Sequence, residues 1–363
     1  MNTIFPMPIE NAKNINPPIK NITMQQIAAN CKVSKVTVGR AFLHPEKVRP
    51  STRKKILKTA ERLGYTYNAL AASLGQSRKP FVGLIACSEN DSQLNSIIRE
   101  SQSMLRDKNL DLLLGTTDLN ANIETLLINR YIQYQALGII MFGITQQTLS
   151  NEKLLLNTSC PILLIGDVPA HSQLNHVDVN TYKSSYNITE YLIRFGHTKI
   201  GLVCGPYEIS NRAERRFTGY KDALEQYNIK YTPNYIFSID NHNKENKSDN
   251  ISIGYYAMQQ LMHVNPTPTA IIFPSDIFAL GGILYAQEHH IDIPGKISIA
   301  SMYEYPLSSW IKPNITTMRI NEKEIAKATI EFFQEILTGT PPLGWNKTIN
   351  SELIIRESCS IPQ

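Results

Sequence analysis

The sequence predicts two architectures joined in one chain: a small all-α helix-turn-helix head, and an α/β body of two lobes, each a doubly wound parallel sheet. Three observations carry that prediction. Two short helical patterns over residues 23–42, "TMQQIAANCKVSKVTVGRAF", are split by poor helix continuers at Asn30, Cys31 and Lys32. From residue 81 onward, apolar runs alternate with helical stretches, the pattern of parallel sheets covered on both faces. The charge is also unevenly divided. The formal net charge is only +5, yet residues 21–79 hold twelve Lys or Arg against Glu46 and Glu61. A basic head on an acidic body points to a polyanion partner. At 363 residues the chain is too long for one ordinary core, which also favours several domains.

Taken in order, residues 1–20 are an Asn- and Pro-rich tail expected not to pack. Residues 21–66 form the head. Thr23 and Gln26 have the spacing of a reciprocal helix cap, and Ser34 starts the second helix. Ile27, Ala28, Val33, Val38 and Ala41 can meet where two helices cross. Pro50-Ser51-Thr52 opens a third helix with an apolar stripe of Ile56, Leu57, Ala60 and Leu63, closed by Gly64. Residues 67–80 contain "NALAASLGQSRKP", read as a short helix and linker. Residues 81–363 form the body, with strands expected at 81–87, 111–117, 136–143, 161–167, 199–205, 235–239, 270–275 and 297–302. That number exceeds one six-stranded unit, so two lobes are expected, with ligands taken at the carboxyl ends of the strands.

Five cysteines, scattered and without a CxxC pair, argue for a reducing compartment and against a structural zinc site. The first twenty residues lack the features of a secretory signal, and no run approaches a membrane span. The expectation is a cytoplasmic protein that uses no membrane. No GxSxG elbow, Walker-type loop, HExxH or strand-associated GxGxxG is present, so an enzyme is not expected, nor a metal or other cofactor. His289-His290 reads as a surface pair at a helix end.

Six blocks in register, "TMQQIAANCKVSKVTVGRAF", "VRPSTRKKILKTAERLGYTYNALAASL", "GHTKIGLVCGP", "RRFTGY", "PTAIIFPSDIFALGGILYAQEHHIDIPGKISIAS" and "SELIIRES", resemble the lactose-repressor (LacI) family of bacterial transcription regulators. The likeness runs from about residue 22 to the end. It implies a periplasmic-binding-protein-like body with chain crossings between lobes near 180, 316 and 344, and a homodimer on a palindromic DNA operator. It also implies a small sugar or sugar-acid effector in the cleft. The phrase "FLHPEKVRP" is similar to the gluconate-repressor branch, which makes gluconate the expected effector. The alternative is a cytoplasmic carbohydrate-binding protein whose head is degenerate.

The resemblance also assigns residues. Lys35, Val36 and Arg40 fall at base-reading positions of a recognition helix capped by Ser34. Arg40 is suited to guanine and Val36 to a thymine methyl, while Thr37 and Tyr65 are placed for phosphates. The other reading of Lys35 and Arg40 is a solvated basic face. "NALAASL" matches the hinge helix, where Leu74 would wedge into the minor groove and Ala71 would let two hinges approach; it could also be a plain linker. In the cleft, Asp276 would accept effector hydroxyls, or simply cap a helix. Arg216 would bind a carboxylate or vicinal hydroxyls, or belong to a solvated face. Asp178, Asn180, Gln93 and Tyr303 complete the expected effector set. Departures from the pattern are Lys32 where Gly is usual, Gly39 where Ser is usual, Gln93-Leu94 in place of an aromatic pair, Tyr303 in place of Asp, and Ile320 in place of Gln.

Overall fold

In a computed structural model of the chain, residues 22–65, 67, 81–87, 92–108, 110–168, 172–239, 249–339 and 344–363 are described. They belong to two units, Met1–Ser77 and Arg78–Gln363.

The head contains α1 (Met24–Cys31), α2 (Lys35–Leu43) and α3 (Pro50–Leu63). Thr23 and Gln26 cap α1 reciprocally: Gln26 N–H donates to Thr23 Oγ1 at 3.3 Å, and Thr23 N–H donates to Gln26 Oε1 at 2.8 Å. The helix stops because Lys32 turns left-handed at φ 55°, which lets Val33 N–H reach back to Ala28 O at 3.0 Å. A side chain in that region costs on the order of 1 kcal/mol that glycine would not incur. Ser34 then caps α2 by accepting from Thr37 N–H at 3.1 Å. Pro50 supplies the preset first turn of α3, and Gly64 at φ 67° ends it. Ile27, Val38, Ala41 and Ile56 are fully enclosed at the crossing, whereas Leu57, expected in the α3 stripe, is only half-buried. Two cations of α3 tie the motif together: Arg53 Nε donates to Ala41 O and Lys55 Nζ to Cys31 O, each at 3.2 Å. Both carbonyls lie in the last turns of helices, where intrahelical donors run out.

The body has two six-stranded sheets. Lobe 1 holds β1 (Phe81–Ala86), β2 (Asp111–Thr116), β3 (Ile139–Phe142), β4 (Ile162–Ile165), β5 (Asn175–Asp178) and β11 (Asn346–Thr348) in the order β11-β5-β4-β3-β1-β2. Every pairing in it is parallel. Lobe 2 holds β6 (Ile200–Cys204), β7 (Ile236–Ser238), β8 (Ala270–Phe273), β9 (Ser298–Ser301), β10 (Thr316–Arg319) and β12 (Glu352–Ile354) in the order β12-β10-β9-β8-β6-β7. There only β12 runs antiparallel, against β10. The helices are α4 (Ser92–Asp107), α5 (Ala121–Gln133), α6 (Gln146–Ser150), α7 (Glu152–Leu156), α8 (Thr181–Arg194), α9 (Asn211–Gln226), α10 (Asn250–Met262), α11 (Asp276–Glu288) and α12 (Glu322–Thr338).

β1, β3, β4, β6, β8 and β9 are buried at every residue, as strands covered on both faces must be. The eight expected strands are all present, most of them shorter than their apolar runs. β5, β10, β11 and β12 were not expected: each has three or four residues with polar side chains among them, too short to show a period. Three connections join the lobes, at 179–180 between β5 and α8, at 320–321 between β10 and α12, and at 349–351 between β11 and β12. The last falls beyond position 344, where the resemblance puts it.

Two glycine positions have opposite outcomes on substitution. A Cβ on Gly39 in α2 would meet nothing closer than Met24 Sδ at 4.0 Å. Gly39→Ala is therefore expected to raise the stability of the head by about 1 kcal/mol through helix propensity, read as a higher unfolding midpoint. Gly281 lies where α11 crosses α10, and its Cβ would sit 2.0 Å from Ile251 O. Gly281→Ala is expected to destabilise the body by roughly 1–3 kcal/mol as the helices are forced apart, measured by denaturant unfolding.

Candidate nucleic-acid interface and effector cleft

On α2, Val38 and Ala41 face the head's core, which turns Lys35, Val36 and Arg40 outward. Val36 is 62% exposed, unusual for a large aliphatic side chain. A core position would have covered it. The three base-reading candidates thus share one uncovered face, beginning at the first turn of a capped helix. Thr37 is half-buried, its hydroxyl 2.8 Å from Ser34 Oγ, so both hydroxyls take part in the cap. Tyr65 is half-buried against Phe42, with ring centroids 5.9 Å apart. Burial pushes its phenol up from the ordinary value, and the neighbouring Tyr67 adds to this. Ala71 and Leu74 lie outside the described residues.

In the body, chemistry gathers at the carboxyl ends of strands. Asp276 follows β8 and is fully enclosed. The reading of it as a helix cap is corrected: Ser275 occupies the cap position, and Asp276 is the first helical residue of α11. Its Oδ2 accepts from Tyr305 N–H and from Ser308 Oγ, each at 2.7 Å, which fixes the loop after β9. Its Oδ1 is buried with no hydrogen-bond partner. Burial pushes this carboxyl above the ordinary value, while the bonds from Ser308 and Tyr305 oppose the shift. An enclosed carboxylate oxygen without a donor is costly unless something supplies one.

Arg216 is half-buried on α9, and its carbonyl accepts from Ser185 Oγ at 2.6 Å, which fastens α9 to α8. Asp178 and Asn180 are engaged locally. Asp178 Oδ1 accepts from Asn180 N–H at 2.7 Å, and Asn180, left-handed at φ 45°, caps α8 through Lys183 N–H at 3.1 Å. The side chain of Gln93 lies outside the described residues. Tyr303 packs with Ile320, Ile325 and Ala328 in the core under lobe 1, and its hydroxyl donates to Glu322 Oε1. That hydroxyl joins the loop after β9 in lobe 2 to α12 on lobe 1. Ile320 is buried in the same cluster, so this corner of the cleft is packed with apolar groups.

Further residues converge between the lobes without having stood out in the sequence. Asp167, at the end of the β4 run, faces Thr181 and Asn211 of lobe 2. Arg212 lies over the Phe142 ring at 5.4 Å and within 3.9 Å of Cys87 Sγ. Phe142, Gly143, Asp167, Val179, Asn211 and Arg212 line one slot between the lobes. Nearby, Gln146 N–H donates to Ile209 O at 3.0 Å, a direct lobe-to-lobe bond. The signal for Asp167 was its place at a strand's carboxyl end, the same rule that singled out Asp276.

Among the described residues, no group of His, Cys, Asp and Glu is arranged to hold a metal ion, and no helix is long and apolar enough to cross a membrane.

Residues 23–68 match the family described as bacterial regulatory proteins, lacI family, and residues 189–359 match a periplasmic binding protein-like domain. Catabolite control protein A of Priestia megaterium is 27% identical over 82% of this chain and 87% of its own length. The transcriptional repressor CytR of Escherichia coli K12 is 26% identical over 93% of this chain and 96% of its own. A crystal structure of the lac repressor dimer bound to operator and the anti-inducer ONPF superposes with a TM-score of 0.77 at 20% identity, covering 94% of this chain and all of that one. That likeness concerns the fold.

Beside the cleft, Glu304 accepts from both Arg319 and Arg356. Burial works against its charged form, but the two guanidinium bonds outweigh it and hold the carboxyl below the usual range. Because the folded value is depressed, the stabilisation is present above the ordinary value and lost as pH falls through the folded one. Glu304→Gln is expected to cost roughly 1–2 kcal/mol at neutral pH. The gap to the native chain should close as pH falls below the ordinary glutamate value and through the depressed one, which denaturant unfolding at several pH values checks.

Proposed function

Since the chain belongs to the LacI family of bacterial regulatory proteins, we propose that it is a DNA-binding transcriptional repressor that grips a palindromic operator as a homodimer and releases or tightens on a small sugar or sugar-acid effector such as gluconate. It acts as a regulator, not an enzyme. The observation that carries the reading is the outward face of α2, where Lys35, Val36 and Arg40 stand exposed on a capped helix while its other face is sealed in the head. Such a face fits the major groove, with Arg40 able to take guanine O6 and N7 together. Thr37 and Tyr65 are assigned to the backbone phosphates, and Ser34 to the cap from which the reading face starts. A dimer follows from the need for contact: one head neutralises few phosphates, and a twofold site doubles them. Ala71 and Leu74 are assigned to the hinge that deforms the operator centre. Site of action is the cytoplasm, where the DNA is.

The effector reading rests on the partnerless Oδ1 of Asp276, which a ligand hydroxyl can satisfy, and on Arg216 as the donor to a carboxylate or paired hydroxyls. Asp178, Asn180 and Gln93 are further effector-binding candidates of the same assignment, and Tyr303 belongs to it only through its place beside the cleft, its hydroxyl being given to Glu322.

Selection of bound fragments from host genomic DNA by the purified chain, with and without gluconate and a panel of sugars and sugar acids, tests the whole reading. A near-palindromic site released or strengthened by one compound is the expected result; no enrichment over random fragments overturns it. Arg40→Ala should lose about 1–3 kcal/mol of discrimination at one base pair of each half-site while binding to random DNA changes little. Asp276→Ala should leave operator binding intact and abolish the effector response, which a ligand titration of the operator complex reads out.

A further inference from the structure

Asp167 belongs to lobe 1, one residue beyond Gly166 at the end of β4, but its bonds go to lobe 2. Its carboxylate accepts from Thr181 N–H at 3.0 Å and from the Thr181 hydroxyl, at the first residue of α8. Its backbone carbonyl accepts from Asn211 Nδ2 at 2.5 Å, at the first residue of α9. One residue of lobe 1 thus holds the leading ends of two lobe 2 helices, beside the first chain crossing. It is almost fully enclosed, at 4% exposure. Asp178 on β5 is a second carboxylate near enough to disfavour its charged form.

We propose that Asp167 is an inter-lobe latch that closes on proton uptake, so that the relative placement of the two lobes depends on pH. The carboxyl is enclosed and beside a second carboxylate, and two negative charges there cannot both be tolerated cheaply. When protonated, Asp167 keeps one oxygen as acceptor for Thr181 and gains a hydroxyl that can donate to Asp178. Withdrawal of α8 from the end of β4 removes the Thr181 bonds and returns the carboxyl to water. The charged groups around it are Asp178 on β5, which disfavours ionisation, and Arg215 on α9, which favours it; Arg212 lines the same slot. Arg215 lies over the Tyr182 ring at 5.1 Å, with its Nε buried and without a hydrogen-bond partner. It therefore softens the repulsion without ion-pairing.

The direction follows from linkage. Burial first, and Asp178 after it, push Asp167 up to about 6, against the opposing Thr181 bond and Arg215. A carboxyl whose affinity for protons is raised in the latched geometry makes that geometry the favoured one at low pH, and the preference is lost as pH rises through about 6. Burial lowers His197 from the ordinary imidazole value, so it is a second group whose charge depends on pH. Comparison of variants at one pH removes its contribution.

The test uses the full chain in two measurements. Carbon-13 NMR of aspartate carboxyls should show one group titrating near pH 6 that disappears in Asp167→Asn; titration of every aspartate below about pH 5 overturns the proposal. Hydrogen exchange of the 181–194 segment, corrected for intrinsic rates, should show protection falling about fourfold from about pH 5.5 to about pH 7.5 in the native chain, with little change in Asp167→Asn. The same slope in both chains overturns it. Asp178→Asn provides the second variant. It removes the like charge without touching the Thr181 bonds, and it should move the Asp167 midpoint toward the ordinary carboxylate value and flatten the exchange profile. An unmoved midpoint in that variant also refutes the shared-proton latch.

Discussion

Five central strands of the body, β1, β3, β4, β6 and β8, are apolar on both faces, and the placing of the body's polar groups follows from that constraint. Val82, Leu84 and Ala86 point into one layer of helices while Phe81 and Ile85 point into the other, and Ile271 and Phe273 divide from Ala270 and Ile272 in the same way. With both faces taken, polar side chains are pushed to the strand ends. Asp167 follows β4 and Asp276 follows β8, and both are buried because the neighbouring lobe and loops close over them. The same constraint places β2 at an edge, where Leu113 and Leu114 are 41% and 46% exposed.

The head follows a different rule. It is too small for much apolar burial, so the three helices among its described residues are defined by their ends: Thr23 with Gln26, Lys32, Ser34, Pro50 and Gly64. Each of these residues satisfies or terminates backbone that would otherwise be left open. The consequence for function is geometric. Capping at Ser34 fixes where α2 begins, and therefore which three side chains lead from its first turns.

These local devices are why the head was legible in the sequence almost residue by residue, including the left-handed turn that makes Lys32 a departure from pattern. The long strands were legible for a related reason, since a run such as "PILLIGD" has one sensible burial. The short strands β5, β10, β11 and β12 were not, because "NHVD" and "TTMR" carry no period and owe their pairing to partners far along the chain. The cleft was legible only in part. Asp276 could be found from its place after a strand, but its partnerless oxygen depends on Ser308 and Tyr305 approaching from another loop. Tyr303 illustrates the converse: its number placed it at the cleft, and packing turned it into the lobe 1 core. Asp167 could have been found by the rule that found Asp276; what sets it apart is the company of Asp178 and Thr181.

Arg53 and Lys55 carry a further consequence. Both count toward the head's positive surplus, yet their donors point at the carbonyls of Ala41 and Cys31. Charges held against the head's own helix ends displace fewer condensed counterions from a DNA duplex than charges free to reach a phosphate. The logarithm of affinity should therefore fall with the logarithm of salt concentration less steeply than the tally of lysines and arginines implies.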